Sequence, residues 1–230
     1  MTRSTSKGTC SFCAGSYAKS AISRHLQACQ ARKEENDALT EKGSGKGRAQ
    51  TIFHLKVEGL YQPMYWLHIE IPAKATLEDL DRFLRAVWLE CCGHLSSFEI
   101  AGNTFFSEKM EPGDRSMRIA LEKVMAPGMK FEHIYDFGTS TELLIKVISA
   151  REGQAQGKSA VIMARNDPPD IRCYVCGKPA TAICCQCSDE DTGYVCDDCA
   201  KKHECGEDML LPLVNSPRTG MCGYTGVCYD

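Results

Sequence analysis

The 230-residue sequence lacks the features that would place it at once in a broad class of protein. No apolar run approaches the roughly 20 residues that a membrane-spanning helix needs. Residues 1–7 have no apolar core of the kind found in a secretory signal peptide. The formal net charge is only −3, which argues against a wholly basic nucleic-acid binder. We therefore expect a protein of the cytoplasm, where thiols stay reduced.

Motifs of several enzyme classes are missing as well. The sequence contains no glycine-rich phosphate-binding loop and no nucleophile elbow. Its Cys-x-x-Cys pairs lack the strand–helix context of a thioredoxin-like redox site. These absences favour a protein that is not an enzyme.

What the sequence has in excess is cysteine, at 15 residues. The cysteines cluster in pairs at short spacings, unlike the scattered cysteines of a small disulfide-linked domain. Two thiolates separated by two residues can reach the same tetrahedral Zn²⁺ from one tight turn. The sequence therefore predicts zinc as the cofactor.

The last third of the chain contains a ladder of such pairs, which predicts a double-zinc module over residues 171–230. In a cross-brace arrangement, the first and third pairs would bind one ion. The second pair would bind another ion together with a His-x-Cys. The predicted ligands are Cys173, Cys176, Cys184, Cys187, Cys196, Cys199, His203 and Cys205. This assignment of ligand pairs to ions resembles that of B-box and stress-associated zinc fingers, although the spacing is not a perfect match to either class.

Eight ligands fill every coordination place of two ions, so the ladder predicts closed structural sites rather than catalytic ones. Two choices stay open. Cys184 and Cys185 compete for one place, and Cys222 could replace Cys205 if the tail folds back. The module has few large apolar side chains, so each zinc would supply on the order of 10 kcal/mol to its folding.

A second zinc site is predicted at the N-terminus, over residues 8–32. Its spacing is that of a single Cys₂-His-Cys finger with the ligands Cys10, Cys13, His25 and Cys29. A helix over about residues 18–29 would place the last two ligands on one face. Ile22 and Leu26 would form the small core.

The first 50 residues are basic, with nine Lys and Arg against four Asp and Glu. Contact with nucleic acid would therefore start there, and a protein partner is an equal possibility. Residues 33–49 are rich in charge and glycine and predict a flexible linker. The basic candidates are Lys7, Lys19, Arg24, Arg32, Lys33, Lys46 and Arg48.

The main apolar body lies at about 50–165. Alternating patterns predict strands at 52–57, 64–71, 96–100, 104–106, 130–137 and 142–149, with a further one at 158–164. Leucines at helical spacing predict one principal helix over 76–90, capped by Thr76. The fold class is therefore α+β, with a mainly antiparallel sheet.

This central region resembles the plasmid pRiA ORF-three-like family, which is found on plasmids, in mobile elements and in chromosomes. The similarity is carried by Tyr-Trp-Leu-His-Ile-Glu-Ile-Pro at 65–72, Thr-Leu-Glu-Asp-Leu-Asp-Arg-Phe-Leu at 76–84, Gly-His-Leu-Ser-Ser-Phe at 93–98 and Tyr-Asp-Phe-Gly at 135–138. The resemblance implies a compact α+β domain with no established activity and no catalytic residues to transfer. The family commonly continues with an acidic residue, Trp and His, whereas residues 139–141 here are Thr, Ser and Thr.

Polar side chains on the predicted sheet offer one possible metal or acid–base site. They are His54, His68, His94, His133, Glu70, Glu132 and Asp136. Alternating polar residues on a strand are more typical of its solvated face. Likewise, Cys91 and Cys92 are more typical of buried packing than of a reactive site.

The leading hypothesis is a zinc-binding, non-enzymatic interaction protein. The alternative is an enzyme or accessory factor that acts on nucleic acid through a site on the central sheet. Oligomeric state is open.

Overall fold

The computed structural model describes residues 6–42, 49–155, 157, 159–187 and 192–226. The chain divides into two compact units. We call the first, Met1–Leu84 with Leu95–Asp167, the sheet unit. The second, Arg85–His94 with Pro168–Asp230, is called the C-terminal unit. The fold is α+β, as predicted.

The sheet unit is built on one mixed but mainly antiparallel sheet, which has ten strands within the described residues. The spatial order is β2-β1-β10-β4-β3-β9-β8-β5-β6-β7, and β6–β7 is its parallel pair. The strands are β1 (Lys7–Cys10), β2 (Ser16–Ala18), β3 (Gln50–Gly59), β4 (Trp66–Pro72), β5 (Ser96–Ile100), β6 (Asn103–Phe106), β7 (Arg115–Ser116), β8 (Lys130–Tyr135), β9 (Thr141–Gly153) and β10 (Val161–Asn166). The strands predicted from alternation are therefore present.

The helices of the sheet unit are α1 (Lys19–Ala28), α2 (Gln30–Lys42), α3 (Leu77–Leu84) and a 3-10 turn at Leu121–Lys123. The predicted cap of α3 is present as a reciprocal pair of hydrogen bonds. The Thr76 N–H donates to Asp79 Oδ2 at 2.9 Å, and the Asp79 N–H donates to Thr76 Oγ1 at 3.1 Å. This arrangement satisfies two backbone donors at the start of the helix.

Both faces of strand β4 are covered. Every residue of β4 is buried, including those that the alternating pattern assigned to a solvated face. The N-terminal segment covers the Trp66 face, because Ile22 and Leu26 of α1 pack in one cluster with Trp66 and Met163. The chain approaches closely there, since a Cβ on Gly8 would lie 2.4 Å from the Trp66 ring.

The segment predicted as a flexible linker contains most of α2. The pattern was misread because Ala, Glu, Gln and Lys are strong helix formers as well as common linker residues. Gln30 bonds Glu34 one turn on at 3.1 Å, and Arg151 of β9 donates to Asn36 at 2.9 Å. The remainder of that prediction, residues 43–48, lies outside the described residues.

The C-terminal unit has little regular structure. A π-helical turn spans Arg85–Leu89, so the predicted helix over 76–90 ends as a different type of helix. A small antiparallel sheet has the order β12-β11-β13. Its elements are β11 (Ala182–Cys184), β12 (Tyr194–Val195), α4 (Asp197–Ala200), a 3-10 turn at Glu207–Met209 and β13 (Leu210–Pro212). None of the described helices in either unit has the length and apolarity to span a membrane.

Candidate metal centres

The four N-terminal candidates converge in what we call the finger tetrad: Cys10, Cys13, His25 and Cys29. Their ligand atoms all lie within 4.8 Å of one another. Cys10 ends β1, and the tight turn after it is closed by the Ala14 N–H donating to the Cys10 carbonyl at 2.9 Å. Helix α1 presents His25, whose ring stacks on Tyr17 at 3.7 Å and whose Nε2 lies 3.4 Å from Cys13 Sγ.

The first and third pairs of the ladder converge in the first ladder tetrad: Cys173, Cys176, Cys196 and Cys199. The turn between the first two resembles that of the finger tetrad. The Gly177 N–H donates to the Cys173 carbonyl at 2.9 Å, and Gly177 takes a positive φ of 73° that suits glycine. Cys176 Sγ lies 3.5 Å from Cys196 Sγ, so the cross-brace partners meet.

The remaining ladder residues form the second ladder tetrad: Cys184, Cys187, His203 and Cys205. Cys187 Sγ lies 3.6 Å from Cys205 Sγ and 3.7 Å from His203 Nε2. The structure places Cys184 rather than the exposed Cys185 in this group. It also places Cys205 there, and Cys222 elsewhere.

A fourth group, the tail tetrad, was not predicted from the sequence: Cys91, Cys92, His94 and Cys222. All four belong to the C-terminal unit. His94 Nε2 lies 2.9 Å from Cys92 Sγ and 3.2 Å from Cys222 Sγ. Cys91 Sγ lies 3.6 Å from Cys92 Sγ, which lies 3.7 Å from Cys222 Sγ.

The donor distances fit a metal ion better than a disulfide. A tetrahedral ion with Zn–S bonds of about 2.3 Å separates its sulfur ligands by about 3.8 Å. The sulfur–sulfur distances given above run from 3.5 to 3.7 Å. A disulfide requires about 2.05 Å. Thiol and imidazole are also the donors that borderline metals prefer. Each tetrad could therefore hold a metal ion.

The electrostatics of the tetrads favour a central cation. Crowded thiols cannot all ionise together, because each thiolate repels the next. Hydrogen bonding to Cys205 raises the pKa of Cys187 to about 12, and bonding to Cys91 raises that of Cys92 to about 12. Burial acts to raise the pKa of Cys173, but backbone N–H groups outweigh it and lower that pKa to about 6. A divalent ion stabilises all the thiolates at once.

The polar residues suggested as a site on the sheet do not gather into one site, although two of the histidines meet. His54 Nε2 and His68 Nδ1 are 2.8 Å apart and buried, and burial lowers their pKa values to about 4 and about 3. His133 is buried against Asp81 at 2.7 Å. Asp136 forms the turn after β8, where it accepts bonds from the N–H groups of Gly138 and Thr139.

The other three members of that set also lie elsewhere. His94 joins the tail tetrad, and Glu70 is held by two arginines. Glu132 is half-buried on β8, opposite Glu99 of β5. The expectation of a solvated face was therefore wrong for His54, His68 and His133. The N-terminal segment buries the Trp66 face of β4, on which His68 also lies.

These observations define a class: an α+β protein with four Cys and His clusters suited to metal ions. The chain belongs to the plasmid pRiA4b ORF-3-like protein family, whose model matches residues 51–173. Among solved structures, it is similar to a protein of unknown function, MM3350, from Methanosarcina mazei Go1. That match has 19% identity and a TM-score of 0.44, and covers 51% of this chain and 70% of the other. No curated protein matches the sequence.

Sequence reasoning missed the tail tetrad because its ligands are not paired at finger spacing. The sequence contains one indirect indication of this site, which is that some cysteines remain without an assigned role. Five cysteines are left over once the finger and ladder sites are filled, namely Cys91, Cys92, Cys185, Cys222 and Cys228, and His94 stands two residues after Cys92.

Proposed function

We propose that this protein is a zinc-stabilised, non-enzymatic binding protein whose partner is another protein. The observation that carries the proposal is the convergence of the finger tetrad and both ladder tetrads into closed sets of four ligands. A catalytic zinc keeps one coordination position for water or substrate. Sets that supply four protein ligands serve structure instead.

The small hydrophobic cluster around the first ladder tetrad supports a structural role for the ions. Its buried members are Cys173, Val195 and Cys196, two of which are proposed ligands. A cluster of this size cannot offset the conformational entropy of ordering the chain. Zinc binding therefore supplies the missing free energy of folding. Reduced thiols are needed for this, which is why we place the protein in the cytoplasm.

The basic residues of the N-terminal arm argue for a protein partner rather than nucleic acid. Lys19 pairs with Glu58 at 2.5 Å, and Arg32 pairs with Glu70. These two side chains serve internal contacts instead of a phosphate-binding surface. Of the other basic candidates, Lys7, Arg24 and Lys33 are exposed. Lys46 and Arg48 lie outside the described residues.

An exposed apolar surface lies beside the first ladder tetrad. Tyr174 and Val175, between two proposed ligands, are 63% and 62% exposed. Asp198, Lys202 and Glu204 line the same concave surface, and Asp198 pairs with Lys178 at 2.9 Å. An aromatic and an aliphatic side chain with charged groups of both signs around them form a surface suited to a peptide with apolar and polar side chains.

Metal analysis tests the structural half of the proposal. Protein purified under reducing conditions without a chelator should contain three or more zinc ions per chain. Less than one ion per chain would contradict the proposal.

Partner capture tests the binding half. Partners cross-linked to the intact protein should be lost when Tyr174 and Val175 are both changed to Ser, and when zinc is removed. Tyr61→Ser is the matched control, because Tyr61 is an exposed aromatic residue of the sheet unit, and it should retain them. A salt-dependent complex with duplex DNA, lost in an Arg24→Ala, Lys33→Ala variant, would favour nucleic acid instead.

A further inference from the structure

We infer that the tail tetrad is a fourth metal site, which binds Zn²⁺ and holds residues 214–222 to the segment Arg85–His94 of the same unit. The site joins residues 128 to 131 positions apart in the sequence, and no finger spacing predicts it. It extends the proposed function, since the three predicted tetrads account for zinc binding without it.

The donor set is chemically complete. Three sulfurs and one imidazole nitrogen lie within 4.8 Å of one another, as in the finger and second ladder tetrads. Two backbone turns bring them together. Gly93, at φ 77°, reverses the chain between Cys92 and His94, and its N–H donates to Glu90 Oε1 at 2.6 Å. Cys222 itself takes a positive φ of 47°, which is an unfavourable backbone conformation for cysteine. The free energy of metal binding would offset this strain.

The surroundings of the tetrad also fit a metal centre. Arg218 is fully buried, and its Nη2 lies 3.3 Å from Cys91 Sγ. A Zn²⁺ ion with three thiolates and one imidazole carries a net charge of −1, which a neighbouring guanidinium balances.

The tail already packs against the segment that a metal ion at this site would join it to. Residues 216–220 are buried, although the segment has no regular secondary structure. Ser216 Oγ donates to the Trp88 carbonyl at 2.7 Å, which satisfies a group in the π-helical turn. An ion held by Cys91, Cys92, His94 and Cys222 would fix both ends of this contact.

Counting ions by native mass spectrometry on the full chain tests the inference. Wild type should bind four zinc ions, and Cys222→Ser should bind three. Cys185→Ser is the matched control: Cys185 is exposed and lies outside all four tetrads, so its loss should leave four. His94→Cys, which keeps four donors, should also bind four.

A wild-type count of three that Cys222→Ser does not change would overturn this inference and leave the proposed function intact. A count near zero would overturn both. A Cys91–Cys92 disulfide in the native protein, seen as the loss of two hydrogens from the intact mass, would also overturn it.

Alkylation of the wild-type protein provides a test that does not depend on a variant folding. Cys92, Cys222 and Cys185 are all exposed. Cys185 should react with a thiol reagent at the same rate with and without bound zinc, whereas Cys92 and Cys222 should react only after a chelator removes zinc. Immediate reaction of all three would overturn the inference.

Discussion

The buried imidazole pair of His54 and His68 is the residue-scale feature with the clearest energetic consequence. Protonation of either ring is unfavourable, because burial removes the hydration that a charged imidazole needs. Their pKa values fall to about 4 and about 3, below the ordinary value of 6.5. The unfolded chain therefore binds more protons than the folded chain below pH 6.5.

This pair predicts a loss of stability in acid. Because the folded pKa values are lowered, the folded state is at no disadvantage above about pH 6.5 and loses stability as pH falls toward 4. Within that window, each histidine lowers the free energy of unfolding by up to about 1.4 kcal/mol for each unit by which the pH falls. Changing both residues to Leu should flatten the dependence of the free energy of unfolding on pH.

The measurement is urea unfolding of both proteins at several pH values between about 7 and 5. Loss of any bound metal in acid would act on both proteins alike, so the difference between their slopes reports the histidines. If the free energy of unfolding depended on pH equally in the two proteins, the rings would not be buried as described.

At the scale of elements, helix α2 is held to the sheet by charge rather than by an apolar face. Arg32 and Arg151 both bond Glu70 of β4, the latter at 2.6 Å. Burial acts to raise the pKa of Glu70, but the bonds from the two arginines outweigh it and lower that pKa. The carboxylate therefore connects three elements of the sheet unit.

Glu70→Gln should destabilise the protein by about 3 kcal/mol, because two partly buried guanidinium groups lose their counter-charge. Thermal or urea unfolding would measure the change. The matched control is Glu78→Gln, which removes a pair with the 79% exposed Arg118. It should cost no more than about 1 kcal/mol. Equal effects would mean that the Glu70 network is as solvated as the surface pair.

At the scale of the whole molecule, the proposed zinc sites would support the two units to different degrees. The sheet unit has a core of fully buried side chains such as Leu55, Ile69 and Val147, whereas proposed zinc ligands make up two of the three buried members of the C-terminal cluster. Removal of zinc should therefore unfold the C-terminal unit first.

Hydrogen exchange measured by mass spectrometry would detect this. After chelation, amides of β11, β12 and β13 should exchange fast, while those of β3 and β9 stay protected. Readdition of zinc should restore protection. Simultaneous loss of protection in both units would contradict the prediction.

The sequence predicts the central fold well, because alternation and helical spacing are local signals. Leu67, Ile69 and Ile71 mark β4 without any knowledge of their neighbours. The pattern cannot show what covers the other face of a strand, so the burial of His68 was missed. For the same reason the finger spacing finds Cys10 and Cys13, whereas the approach of Cys222 to Cys91 depends on tertiary structure.

The position of the two tryptophans has an optical consequence. Trp66 packs in one cluster with Cys10 and Cys29 of the finger tetrad, and the Trp88 carbonyl accepts the bond from the tail. The chain contains only these two indoles, one packed against the finger tetrad and one in the segment that precedes Cys91. Replacing Trp88 with phenylalanine would leave a single indole emitter, the one packed against the finger tetrad. Quenching by bound cobalt would then report the occupancy of that cluster in real time.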